Sequence, residues 1–212
     1  FNMLPNDVNP GVNGDDLNAV PSVRFLSMTT RFGLNVTGPE IWGAKSTAKI
    51  ESDFCGASSG TAFNLRIRQA YTKLAWEHSD ILVGQAWHPM MGDMMPDVFS
   101  LETGAPFTPF SRTPQLHYDY ANKGFTLTAA ALYQFQYTSY GPDGASFNYA
   151  RNAVVPELYF QAMYKKGDFM AGAGVDILTL KPRTEYTDAD GEKMLSDQLV
   201  TSFSPTAFFS YK

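Results

Sequence analysis

Hydrophobic and polar residues alternate with a period of two along most of this chain. In Phe125–Tyr137 the odd positions are aromatic, Leu or Ala, and the four polar side chains all lie at even positions. Successive side chains of a β-strand point to opposite faces of a sheet, so this pattern predicts strands with one apolar and one polar face. The predicted strands are Val23–Val36, Ala44–Phe54, Phe63–Trp76, Ile81–His88, Gln115–Ala121, Phe125–Tyr137, Val155–Tyr164, Phe169–Leu180 and Leu199–Tyr211.

Short and long connections alternate between these nine strands. The short ones are rich in turn-forming residues and comprise Thr37–Gly43, Glu77–Asp80, Asn122–Gly124 and Lys165–Asp168. The long ones are Cys55–Ala62, Pro89–Pro114, Thr138–Ala153 and Lys181–Gln198. Several of the predicted strands are longer than the roughly five or six residues usual in soluble proteins. Long strands with this alternation are typical of an antiparallel transmembrane β-barrel, in which the apolar face meets lipid and the polar face lines the interior.

The predicted organisation has two parts. Residues 1–22 are rich in Pro, Asn, Asp and Gly, which favours an irregular extracellular lead-in. Residues 23–212 form the β-barrel segment, interrupted by the long loop at 89–114. An odd number of strands, the first of them running inward from the cell surface, predicts that the complete barrel contains further strands.

Composition narrows the function classes. The chain is 44% hydrophobic, 17% charged and 14% aromatic, and no apolar run approaches the roughly eighteen residues of a membrane helix. A net charge of −5 without a basic block argues against a nucleic-acid partner. The single Cys55 and three scattered histidines predict no metal site, and we expect no cofactor. Nucleophile-elbow, phosphate-loop and His-Glu-x-x-His motifs are absent, so the chain is not expected to be an enzyme.

Charged residues of the first three predicted strands share the polar face. An Arg or Lys on the lipid face would cost about 2–4 kcal/mol at the bilayer midplane, so this face is expected to line a water-filled lumen. The alternation of side chains places Thr72 on the polar face and Tyr71 on the apolar face. The charges are candidate determinants of solute selectivity, although they could equally be ion pairs that brace the wall. They are Arg31, Lys49, Glu51, Asp53, Arg66 and Arg68.

The loop Pro89–Pro114 is the second candidate region. It contains more Met and Phe than an exposed loop usually holds, and its length is unusual for a segment without function. We expect it to fold into the lumen as a constriction; the alternative is an outward loop packed at a trimer interface. Its charged residues are Asp93, Asp97, Glu102 and Arg112. On the flanking strands, four polar residues could line the pore or anchor the loop: Gln85, Gln115, His117 and Asp119.

Five short segments in register resemble a known family. They are Thr30–Gly33, Lys49–Phe54, Leu65–Tyr71, Gly84–Trp87 and Arg112–Gln115. Their order and spacing over about residues 24–120 are similar to the N-terminal half of DcaP-type and related Bacteroidota outer-membrane porins. The resemblance implies a 16-stranded, homotrimeric diffusion porin with one loop folded into the lumen.

The predicted function is passive diffusion of small polar or anionic solutes across the outer membrane of a Gram-negative bacterium. The expected partners are outer-membrane lipid, lipopolysaccharide, two sister subunits of a homotrimer and the solutes themselves. One alternative is a soluble or surface-anchored β-sandwich that binds a glycan or a protein. A second is a plugged structural barrel within a larger outer-membrane complex.

Overall fold

The computed structural model describes residues 7–21, 23, 30–54, 64–92, 111–134 and 137–211. These described residues form thirteen strands and two short helices. In chain order these are β1 Arg31–Ile41, β2 Ala44–Phe54, β3 Leu65–Ala75, β4 Ser79–Trp87, α1 Pro89–Gly92, β5 Arg112–Asn122, β6 Phe125–Leu132, β7 Ser139–Gly141, β8 Gly144–Ser146, α2 Asn148–Ala153, β9 Glu157–Lys166, β10 Phe169–Leu180, β11 Glu185–Thr187, β12 Lys193–Leu195 and β13 Val200–Tyr211.

Nine of these strands form one antiparallel sheet in the order β1-β2-β3-β4-β5-β6-β9-β10-β13, which confirms the predicted all-β class. The strands β7–β8 and β11–β12 form two separate small hairpins. In the nine-stranded sheet, each strand pairs with the sheet strands that precede and follow it in the chain. These hairpins lie in two of the long connections. The sheet is not closed, because β1 and β13 each pair with a single strand. Neither described helix has the length and hydropathy needed to cross a membrane.

Polarity across the sheet is inverted relative to a soluble protein. One face, called the outer face, exposes large apolar side chains such as Leu34 (60%), Ile50 (54%) and Leu116 (55%). The opposite inner face buries polar ones, including Asp53 and Arg68. A β-sandwich would bury the apolar faces of two sheets against each other. Here the outer face has no partner among the described residues, which favours lipid as its solvent over the sandwich alternative.

Aromatic residues form a row at the end of the sheet that carries the short turns. Phe125 and Tyr164 pack with ring centroids 4.6 Å apart, and the indole N–H of Trp76 donates to the Trp42 carbonyl at 3.0 Å. Tyr120, Phe169 and Tyr211 lie at the same end. Aromatic girdles of this kind mark the membrane–water interfaces of barrels, where a ring can contact both acyl chains and polar groups.

The first strand differs from its prediction. Val36 was expected to end it, with a turn over Thr37–Gly43, but β1 continues to Ile41 and the turn consists of Trp42 and Gly43, both with positive φ. Gly38 and Pro39 suggested a turn, yet they lie inside β1, where the register shifts between Thr37 and Glu40. Proline is tolerated there because Pro39 lies at this irregularity of the β1–β2 pairing, where the ladder does not need its missing N–H.

A β-bulge in β3 corrects a second prediction. Asp53 lies opposite Arg66 and Ser52 opposite Ile67, but Glu51 lies opposite Gln69, so Arg68 is the extra residue. After a one-residue insertion every following side chain changes face. Tyr71 therefore lies opposite Lys49 on the inner face, and Thr72 is exposed on the outer face; the predicted parity of this pair was wrong.

The long connections also differ in their limits. β5 begins at Arg112, so the segment predicted as loop 89–114 starts with the helical turn α1 and ends before Arg112. β6 ends at Leu132 rather than Tyr137. The next connection contains α2, whose buried Tyr149 accepts a hydrogen bond from the amide of Asp143 through its hydroxyl. The predicted connections thus carry local structure of their own.

Two neighbouring substitutions test the assignment of the outer face to lipid. Leu116→Arg places a charge on the outer face near the middle of β5 and should lower the free energy of unfolding in lipid vesicles by about 2–4 kcal/mol. His117→Arg is the matched control, because residue 117 faces inward beside Asp119 and a cation there keeps its ion pair. Equal losses for the two variants in urea titrations would contradict the assignment.

Candidate pore-lining site

Carboxylates of β2 and guanidinium groups of β3 form a dense network on the inner face. Arg66 donates two hydrogen bonds to Asp53, each 2.9 Å long. Arg68 bridges two acids, with Nε 2.7 Å from Glu51 Oε1 and Nη1 2.7 Å from Asp53 Oδ2. Lys49 Nζ lies 3.2 Å from Glu51 Oε2. The bulge makes this possible, because it brings Arg66, Arg68 and Gln69 to one face within four residues.

Arg112 extends this network from β5. Its guanidinium carbon lies 4.7 Å from the ring centroid of Trp87, and that of Arg68 lies 5.8 Å from the same ring. Trp87 and Arg112 are cross-strand partners, and the indole contacts both guanidinium groups. We call Lys49, Glu51, Asp53, Arg66, Arg68, Trp87 and Arg112 the arginine cluster. It gathers four cationic side chains and two carboxylates on one part of the inner face.

The inner face also carries an acidic region farther along the sheet. Glu157 on β9 and Asp176 on β10 are both buried, and at least three strands separate each of them from β3. The arginine cluster and this acidic pair therefore lie at separate places on the inner face.

A recess of about 410 Å³ opens on the inner face toward the short-turn end. Its lining includes Tyr71, His117 and Asp119. His117 Nε2 lies 3.0 Å from Asp119 Oδ1, and the Thr128 hydroxyl donates to the same carboxylate oxygen. Asp80 lines the recess as well and pairs with Lys73 at 2.9 Å. Tyr71, Lys73 and Asp80 were not among the predicted site residues, since the bulge that turns Tyr71 and Lys73 inward leaves no clear signal in the alternation.

Gln85 and Gln115 have local roles in the described structure. The Gln85 amide donates to the carbonyl of Ile67 at 3.0 Å and to that of Arg68 at 3.3 Å. It thereby bonds backbone groups at the bulge, where the β3–β4 ladder has ended. Gln115 is buried on the inner face and donates to the Trp87 carbonyl at 2.9 Å. Both residues tie β4 to its neighbouring strands, and whether they line a pore or anchor the loop stays a prediction.

The remaining predicted residues are placed as follows. Arg31 lies opposite Asp53 in the β1–β2 register, with an exposed side chain. Arg112, predicted in the constriction loop, is the first residue of β5. Asp93, Asp97 and Glu102 lie outside the described residues, and whether they form a constriction stays a prediction.

The described start of the loop lies against the inner face. Met90 in α1 packs on Ala130, Leu132 and Tyr159 of β6 and β9. His88, directly after β4, reaches farther: its Nε2 is 3.2 Å from Glu157 Oε1 and 3.5 Å from Asp176 Oδ1. The chain therefore crosses the inner side of β5 and β6 as it leaves β4. No sequence motif indicated this three-residue cluster, because Glu157 follows His88 by 69 residues.

Comparison with known proteins places this sheet in a known architecture. The crystal structure of the outer membrane channel DcaP of Acinetobacter baumannii matches with a TM-score of 0.68 over 98% of this chain, at 23% identity. The chain has the fold of part of a porin barrel. It spans about half of that channel, since the match covers 54% of its length. No family model and no curated protein match the sequence.

The predicted resemblance to DcaP-type porins is therefore confirmed for the fold. The predicted resemblance to Bacteroidota porins stays a prediction. An identity of 23% supports the shared architecture alone. The roles of individual residues therefore follow from this chain's own side chains.

The arginine cluster generates a stability prediction. Asp53→Asn removes the carboxylate that Arg66 and Arg68 share, and loss of one member of a buried ionic network costs about 3–5 kcal/mol. The control is Asp80→Asn, which breaks the more exposed pair with Lys73 and should cost less than about 1 kcal/mol. Urea unfolding of both variants in detergent micelles measures the difference. A loss for Asp53→Asn no larger than the control's would show that the network does not brace the wall.

Proposed function

We propose that this chain forms part of the wall of an outer-membrane porin through which small polar solutes diffuse passively, with a preference for anions. Location in the outer membrane of a Gram-negative bacterium belongs to the same proposal. The single observation that carries it is the inverted polarity of the sheet: apolar side chains are exposed on one face, while charged ones line the other. Similarity to the DcaP channel supports the proposal.

The anion preference rests on the arginine cluster. Three guanidinium groups and one ammonium group are concentrated there, so a passing anion meets several hydrogen-bond donors on one part of the wall. Trp87 holds Arg112 by a cation–π contact, which helps to keep that guanidinium in place. Charged rings of this kind set the selectivity of aqueous pores by charge and size.

Filtering through such a wall needs no covalent chemistry and no energy source, and we propose no enzymatic activity. Every lipid-exposed strand must have its backbone groups paired. We therefore propose that β1 and β13 pair with further strands of a closed barrel. Outer-membrane lipid, lipopolysaccharide and two identical subunits are the proposed surroundings of the outer face.

Ion selectivity in planar bilayers tests the proposal. The double variant Arg66→Ala with Arg68→Ala should lose anion preference, because the cluster then holds equal numbers of cations and carboxylates. The measurement is the reversal potential of the intact porin across a KCl gradient, together with its single-channel conductance.

Two controls make this experiment interpretable. Arg66→Lys with Arg68→Lys keeps the charge and should keep the sign of the reversal potential. Lys165→Ala with Lys166→Ala removes two charges at the exposed end of β9 and should shift the reversal potential much less. An unchanged reversal potential in the double alanine variant would overturn the anion assignment. A folded wild-type protein that conducts no current would instead support the plugged structural barrel.

A further inference from the structure

His88, Glu157 and Asp176 bring three potential metal ligands together on the inner face. All three residues are buried, and their ligand atoms lie within 4.8 Å of one another. The distances from His88 Nε2 to the two carboxylate oxygens are 3.2 and 3.5 Å. Ligand atoms of a tetrahedral zinc ion are about 3.4 Å apart when its bonds to N and O are about 2.1 Å long. The two carboxylate oxygens therefore already lie at about this spacing from His88 Nε2.

A second observation points to a cation between these groups. Glu157 is 7% exposed, and its Oε2 has no hydrogen-bond partner among the described residues. A buried carboxylate oxygen without a donor is costly, and native structures rarely leave one so. The two carboxylates together carry a formal charge of −2, which a divalent cation would cancel.

The imidazole is also held in place. Its ring packs edge-on against Tyr159, with the centroids 5.5 Å apart, and Tyr159 is itself fully buried. The Tyr159 hydroxyl donates to Gln161 at 2.7 Å. Surrounding contacts that orient a histidine are a regular feature of metal sites, because they reduce the freedom lost on binding.

We propose that His88 Nε2, Glu157 and Asp176 bind a divalent transition-metal ion such as Zn²⁺, with water completing its coordination. One imidazole with two carboxylates suits such an ion, whereas Ca²⁺ and Mg²⁺ favour oxygen ligands alone. His88 lies immediately before α1, and its partners are on β9 and β10. The ion therefore joins the start of the long loop to a part of the wall three strands or more from β4.

Binding has a structural consequence at Met90. In the metal-free arrangement the Met90 amide donates to His88 Nδ1 at 3.2 Å, which places the ring hydrogen on Nε2, toward the carboxylates. A metal on Nε2 shifts that hydrogen to Nδ1. The Met90 amide must then turn away, so metal binding changes the first turn of α1.

Zinc titration of the intact porin, purified in detergent and stripped with a chelator, tests the site. Competition with a fluorescent zinc indicator should detect one Zn²⁺ per chain that His88→Gln and Glu157→Gln each weaken by at least roughly tenfold. His78→Gln is the matched control: it removes an exposed histidine whose nearest acid, Glu77, is 3.8 Å away, and it should leave zinc affinity unchanged. Mg²⁺ and Ca²⁺ at equal concentration should not compete.

X-ray absorption at the zinc edge of the wild-type protein gives a readout that does not depend on variants folding. It should show one nitrogen-type and otherwise oxygen-type ligands. Absence of zinc binding, or equal affinity in wild type and a folded His88→Gln variant, would overturn the proposal and leave the cluster as a hydrogen-bonded anchor. Neither outcome bears on ion selectivity, so this test stands apart from that of the proposed pore.

Discussion

For the proposed porin wall, one constraint governs the rest of the structure, which is that backbone polar groups in lipid must be satisfied by the protein itself. A sheet meets this requirement within its ladder, and its side chains can then be divided by face. Here that division is nearly complete in the described strands: Leu34, Ile50 and Leu116 lie outside, and Asp53, Arg68 and Gln115 lie inside. The buried polar residues are not a core in the usual sense. They form a layer of ion pairs and hydrogen bonds on the inner face of the sheet.

That layer explains why stability and selectivity are difficult to separate here. Asp53 neutralises part of the charge of Arg66 and Arg68 and also fixes where those groups lie. A guanidinium that makes two hydrogen bonds to one carboxylate has a defined plane, so the remaining field of the cluster has a defined direction. Trp87 also contacts the guanidinium of Arg112, which helps to fix its position. The cluster thus holds its guanidinium groups in defined positions, which a set of solvated lysines could not do.

Much of this could be predicted from the sequence, because a strict period of two identifies both the strand and its faces. The bounds of β2 and β10 and the inward placement of Lys49, Glu51 and Asp53 followed directly from alternation. The exceptions have local causes. Gly38 and Pro39 suggested a turn but lie within an edge strand, and the extra residue Arg68 reversed the faces of Tyr71 and Thr72. The cluster of His88, Glu157 and Asp176 could not be found at all, because only the path of the chain across β5 and β6 brings its members together.

The bulge at Arg68 also limits which changes in length β3 can tolerate. A loop can gain or lose residues without altering which side chains meet lipid. In β3 the count between Ile67 and Gln69 decides whether the half of the strand nearest the short turn presents Tyr71 and Lys73 to the inner or to the outer face. Removing a single residue there would move Lys73 to the apolar outer face and Thr72 to the inner face. Length changes in related chains should therefore be concentrated in the long connections and be absent from this one position, where a deletion has the effect of many simultaneous substitutions.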